Sequence, residues 1–397
     1  MNTHGDKNMY TPIALTRRIA LAAAIGTMAA GFAFSAHAAD TVKVAQLVEL
    51  TGPGTTSGTN YRNGANLAIK EINAAGGILG RQIEATSADT QTNPGIAKAL
   101  AQKAIDDDAF VVFGPVYSGS IMVSMATTEA AKVPNFIGGE AAAITQQGNP
   151  YVFRASLTQS DAMPKVARYL DGRKDINTIA VLFVNNDFGK GGRDAIIEAL
   201  GKTRVKVVAD ISTSVGQVDF SSAVLKTKQS KADAAFVYLN EEESARLLGE
   251  FRKQGWDKPI VGESTLVNQK VIELAGSAAE GVVAHVGLTA DAPNPEMQRY
   301  AKAFQDAYGY TSDHNALKGY TSVYLFKAGV EKAGKFDRQA VADALHGLHI
   351  SVKDNPGVLM DVTIDDKGDL DRESFLVEVV DGRQKVTEIL PPLSAGK

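Results

Sequence analysis

From residue 41 onward the chain alternates short apolar runs with longer amphipathic ones, in two successive series. In the first, "VKVAQLVEL", "QIEATSAD", "AFVVF" and "PNFIG" read as strands, separated by the helical patterns "YRNGANLAIKEINAAGG", "GIAKALAQKAIDD" and "SIMVSMATTEAAK". In the second, "TIAVLFV", "VKVVADI", "AAFVYL" and "PIVG" alternate with "DFGKGGRDAIIEAL", "DFSSAVLKTKQ" and "EESARLLGEFRKQG". Apolar runs without polar alternation suit strands covered on both faces, and strands separated by helices imply parallel pairing. The expected fold class is α/β, with two doubly wound parallel-sheet lobes drawn from residues 41–157 and 158–286. Beyond residue 290, "NPEMQRYAKAFQDAYG" and "ALKGYTSVYLFKAGVEKAG" read as helices, ahead of a strand-rich tail with "VLMDVTI", "FLVEVV" and "VTEIL".

Residues 1–38 are different material. "LTRR" supplies positive charge, "IALAAAIGTMAAGFAFSA" is an apolar run, and Ala36 to Ala38 form a small-x-small cleavage site. This pattern predicts a cleavable secretory signal peptide rather than a membrane anchor. Loss of Asp6, Lys7, Arg17 and Arg18 with it takes the formal net charge from −4 to −6. An acidic chain without a basic cluster argues against nucleic acid as a partner. The sequence has no cysteine, so neither disulfides nor a lipid-bearing cysteine is available. Taken together these features predict a free periplasmic protein resting on a large core.

Ligands of such sheets bind beyond the carboxyl ends of the strands, and two lobes can face each other across a cleft there. The stretch "GPVYSGS" stands at such a place. It lacks the lysine of a P-loop and the spacing of a dinucleotide fingerprint. "GESTL" begins like a nucleophile elbow but carries Leu266 where the second glycine belongs, and no histidine offers itself as its base. No histidine pair has helical metal-ligand spacing and thiolates are absent, so no metal or cofactor is expected. What remains is non-covalent recognition. Ser118 offers a hydroxyl, and Gly119 lies in a first helical turn whose N–H groups and dipole favour an anion. Ser118 could equally be a simple helix cap. In "GGEAAA", Gly138 and Gly139 allow close backbone approach, and Glu140 and Ala141 follow. Asp187 and Phe188 open the helix after "TIAVLFV", with Phe188 a candidate aromatic wall. Asn240 and Glu243 form a capping-box pattern, which leaves Glu241 and Glu242 as possible ligand contacts.

The stretches "TGPGTTSGTNYRNGANLAIKEINAAGGILGRQIE", "GPVYSGS", "ITQQGNPYVFR", "VNNDFGKGG", "VDFSSAVLKTKQSKADAAFVYL" and "DDKGDLDRES" resemble, in order, the branched-chain amino acid family of periplasmic binding proteins. The resemblance covers essentially the whole chain after the leader. It implies a type I periplasmic binding fold in which a three-stranded hinge joins two lobes that close on a small ligand. The implied division is a leader at 1–38, a first lobe at 39–157 and 287–365, a second lobe at 158–286, and a second-lobe or hinge tail at 366–397. The implied function is that of a monomeric, non-enzymatic solute-binding protein. It would hand an amino acid to the permease of an ABC importer.

Carried over by position, the carboxylate-binding serine of the family matches Ser118. The backbone position falls on Gly138 or Gly139, and Glu140 stands where the family has a threonine. The ammonium-binding glutamate falls on Ser264, with Glu263 beside it. An N-terminal aromatic falls near Ser57, the second-lobe aromatic falls on Phe188, and a tyrosine position falls near Glu241 and Glu242. An ionised Glu140 would repel a carboxylate placed against it. The alternatives are therefore a ligand that is an amide, an amine or an aromatic acid, or a sensor built on the same fold.

Overall fold

The computed structural model of the protein describes residues 41–396, so the leader read at 1–38 lies outside the described residues. The first sheet contains β1 (Thr41–Val48), β2 (Gln82–Asp89), β3 (Val111–Phe113), β4 (Asn135–Ile137) and β5 (Val152–Arg154). Their order is β2-β1-β3-β4-β5, and every pair is parallel. β3, β4 and β5 are buried at every position, as strands covered by helices on both faces must be.

After β5 the chain crosses to a second sheet. It contributes β6 (Thr178–Val184), β7 (Lys206–Thr213), β8 (Ala234–Tyr238), β9 (Ile260–Glu263) and β10 (Val283–Val286), parallel to one another wherever they pair. The chain then returns through helices Pro295–Tyr308, His314–Ala333 and Arg338–Leu345 to a small antiparallel sheet of β11 (His349–Ile350), β12 (Val362–Ile364) and β13 (Leu370–Asp371). β14 (Ser374–Val380) and β15 (Arg383–Leu390) add antiparallel strands to the second sheet, completing the order β15-β14-β10-β9-β8-β6-β7. The chain therefore passes between the lobes three times.

The first helix is longer than the sequence pattern implies. It spans Thr55–Ala74, so the stretch "TTSGTN", which lies ahead of the helical pattern read from Tyr61, is helical and places Ser57 within its first turn. Poor helix formers are held there by packing, a tertiary override of weak local propensity. This helix runs against His314–Ala333 at very close range. A Cβ on Gly64 would lie 1.8 Å from the Ala316 carbonyl oxygen, and one on Gly319 would lie 1.9 Å from that of Tyr61. Only glycine permits that approach. It carries the start of the returning helix, with His314, Asn315 and Lys318, to the edge of the interlobe cleft.

Candidate functional site

The cleft's first corner is built by the loop between β3 and helix Ser118–Ala130. Glu49, just beyond β1, accepts hydrogen bonds from the Val116 and Tyr117 N–H groups at 3.2 and 3.1 Å, which fixes this loop. Burial pushes the Glu49 carboxyl up to about 7, opposed by those two bonds. The helix cap is Tyr117, which makes no side-chain capping bond, so the reading of Ser118 as a cap is corrected. Ser118 is instead the first helical residue, and its Oγ accepts a long bond of 3.4 Å from the Ala141 N–H. A Cβ on Gly139 would come within 3.1 Å of that Oγ, so glycine keeps the corner open.

Arg154, fully buried at the end of β5, sets the backbone here. Its Nε donates to Asp369 at 2.6 Å, while its terminal nitrogens donate to the carbonyls of Gly139 and Ala141 and to Thr145 Oγ1. With those carbonyls turned to Arg154, the Gly139 and Glu140 N–H groups have no partner among the described residues.

The opposite wall comes from the second lobe and the returning helix. Phe188 stacks on Tyr238 with ring centroids 4.2 Å apart. Tyr238 Oη donates to Glu140 at 3.2 Å, and Lys318 Nζ donates to the same carboxylate at 2.6 Å. Burial and the Glu263 carboxylate push the Glu140 pKa up, with Lys318 opposing. Glu241 accepts from Ser57 Oγ at 2.8 Å and Asn315 Nδ2 at 3.1 Å, and burial raises its pKa to about 7. Together these groups border about 430 Å³ of space free of protein atoms, part of it open to solvent.

Of the residues singled out from sequence, Ser57, Ser118, Gly119, Gly138, Gly139, Glu140, Phe188 and Glu241 line this space. Ala141 stands behind Ser118, with its N–H and carbonyl both engaged. Asp187 is solvent-exposed on the facing lobe, where a Cβ on Gly119 would be 3.2 Å from its Oδ2. Glu242 is half-buried and accepts from Thr56 across the lobes at 3.0 Å. Glu263 and Ser264 bond to each other and face a neighbouring smaller chamber with Arg372, not the cleft. The sequence did not single out Val116, Tyr117, Asn186, Thr265, His314, Asn315 or Lys318 as lining residues, and it gave Asn240 only a capping role. The available signal was a set of polar side chains at the start of a helix that is buried on nearly every face.

A model of the periplasmic binding protein family matches residues 41–384. The leucine-, isoleucine-, valine-, threonine- and alanine-binding protein of Pseudomonas aeruginosa is 30% identical over 351 residues, which is 88% of this chain and 92% of that protein. Among solved structures, a branched-chain amino acid transporter substrate-binding protein of Streptococcus pneumoniae in complex with isoleucine superposes with a TM-score of 0.81 at 23% identity, covering 89% of this chain and all of that one. A solute-binding protein of a Rhodopseudomonas palustris ABC transporter, in complex with 3,4-dihydroxybenzoic acid, gives 0.81 at 23% identity over 89% and 97% of the two chains.

Proposed function

The chain belongs to the periplasmic binding protein family, and we propose that it is the solute-binding component of an ATP-driven importer that captures an amino acid of the branched-chain type. In this reading the leader exports the protein to the periplasm, and the loaded, monomeric protein docks on a membrane permease. It binds its ligand and does not transform it. The relative from Pseudomonas aeruginosa, whose name gives branched-chain and small amino acids, supports that ligand class.

One observation carries the proposal. At a cleft bounded by both lobes, the Ser118 hydroxyl, the first turn of helix Ser118–Ala130 and the Gly139 N–H present donors that the protein itself leaves largely unspent. A ligand carboxylate fits them. The helix dipole adds about 0.3–1 kcal/mol, rising to about 2 kcal/mol in a partly buried site. A ligand held at this corner and by the second lobe favours the closed arrangement over an open one by its differential affinity alone. A micromolar ligand needs about −8.2 kcal/mol in total. Glu140 does not forbid a carboxylate nearby, because Lys318 compensates its charge.

A second reading is an aromatic acid. Tyr117 and Phe188 both line the cleft, and the Rhodopseudomonas palustris protein holds such a ligand. A thermal-shift panel of L-leucine, L-isoleucine, L-valine, L-alanine and L-threonine against benzoate and 3,4-dihydroxybenzoate separates the two. The proposal expects the amino acids to raise the melting temperature. Stabilisation by the aromatic acids alone would replace it with the second reading.

A further inference from the structure

Of the carboxylates around the cleft, Glu140 is committed to Lys318 and Tyr238. Glu263 is turned away, accepting from the Ser264 N–H at 2.6 Å and Oγ at 2.9 Å, with His285 Nδ1 at 3.2 Å. Glu242 is partly exposed and bonded to Thr56, and Asp187 is exposed on the facing lobe. Glu241 differs from all of these. It lines the cleft, it is 3% exposed, and both bonds from Ser57 and Asn315 go to one oxygen. Its Oε2 accepts from no other described residue.

Two further polar groups lining the same cleft lack partners. Thr265 Oγ1 and His314 Nδ1 are buried without a hydrogen bond among the described residues, and both residues line the same cleft. His314 Nε2 bonds to no other described residue either. Burial holds the His314 imidazole neutral, well below its ordinary pKa, so one ring nitrogen is an acceptor. Buried polar atoms in folded proteins are nearly always satisfied, so unsatisfied ones on residues lining a cleft point to what fills it.

We infer that Glu241, Thr265 and His314 form the acceptor site for the ligand's ammonium group. An ammonium brings three N–H donors and a charge, and when buried it needs three acceptors and a counter-charge. A carboxylate oxygen, a hydroxyl and an imidazole nitrogen meet that need. This site takes the place of Ser264 and Glu263, to which position alone assigns the role. Because Glu241 and Thr265 belong to the second lobe and Ser118 to the first, a zwitterion ties the lobes together through both of its charged ends, whereas its des-amino acid lacks the ammonium tie.

This inference rests on the amino-acid reading, and its test separates the two. Wild type, Glu241→Gln and Thr265→Val are titrated calorimetrically with L-leucine and with 4-methylpentanoic acid, the same skeleton without the ammonium. Wild type should prefer L-leucine by at least roughly tenfold, as expected for a charged hydrogen-bonded group. Glu241→Gln should lose at least that factor for L-leucine and much less for the des-amino acid, so that the preference for L-leucine collapses. Thr265→Val should weaken L-leucine by roughly threefold. If wild type prefers L-leucine and both variants keep the full preference, the inference is wrong and the amino-acid reading stands. If wild type binds the des-amino acid as well as L-leucine, no ammonium site exists. If wild type binds 4-methylpentanoic acid but not L-leucine, both readings fall.

Discussion

Lys318 Nζ lies 2.6 Å from Glu140 Oε1, and both side chains are almost completely withdrawn from solvent. Read from sequence, Glu140 opposed a carboxylate-binding cleft. Its neutralising partner stands 178 positions later, brought there by the close crossing of two helices at Gly64 and Gly319. Tyr238 of the second lobe donates to the same carboxylate, so the pair also joins the lobes.

Breaking this pair should be much worse than deleting it. Lys318→Met leaves a buried carboxylate without its counter-charge and should cost about 3–5 kcal/mol in equilibrium urea unfolding at pH 8. The double variant Glu140→Gln/Lys318→Met should recover more than half of that loss. Equal losses in the single and double variants would show that the ion pair is not what holds these groups.

The lobes also meet through Ser57 and Glu241, at 2.8 Å, and through Asn268 and Asp313, at 2.6 Å. Ser57→Ala removes a hydrogen bond to a buried carboxylate and should weaken closure. Small-angle scattering should show a larger radius of gyration for the ligand-free variant than for wild type. L-leucine affinity should fall by roughly tenfold. Identical scattering and identical affinity would mean that this contact does not contribute to closure.

Glu49 gives a pH signature. Its carboxyl titrates near 7 in the folded protein and near 4.5 when unfolded. Below 4.5 both states carry the proton and the group is silent. Between 4.5 and 7 the unfolded chain releases its proton first, so stability falls as pH rises. His285 and His314, buried neutral, act in the opposite sense below 6.5, and they do so in wild type and variant alike. The stability of wild type relative to Glu49→Gln should therefore drop by about 3 kcal/mol between pH 4.5 and pH 7.5 in urea titrations. A difference that stays constant with pH would contradict the buried, protonated state of Glu49.

Much of the fold was legible because strands buried on both faces are written as plain apolar runs. "AAFVYL" and "AFVVF" are such runs, and the structure places β8 and β3 there. β5 was not legible. It is three residues long and ends in a buried arginine, whose partner Asp369 lies in another part of the chain. Helix Gln159–Gly172 was hidden by Pro164 inside it, a residue that ordinarily argues against a helix interior.

At the site, Ser118 and Gly139 could be found because strand ends face the cleft in any such fold. Lys318, His314 and Asn315 could not, since their position depends on where a distant helix returns. The run of three glutamates beginning at Glu241 posed a different limit. Glu243 bonds to the Asn240 side chain, Glu242 reaches Thr56, and Glu241 faces the cleft. Composition alone does not assign those three directions.

The central claim is that the corner at Ser118 holds the carboxylate of an amino acid. Calorimetric titration of L-leucine into wild type and Ser118→Ala tests it most directly. The account predicts micromolar binding to wild type and at least roughly tenfold weaker binding to the variant, with only a small fall in the melting temperature of the ligand-free variant from the lost Ala141 bond. Equal affinity in the two proteins, or no binding of L-leucine to wild type, would contradict it.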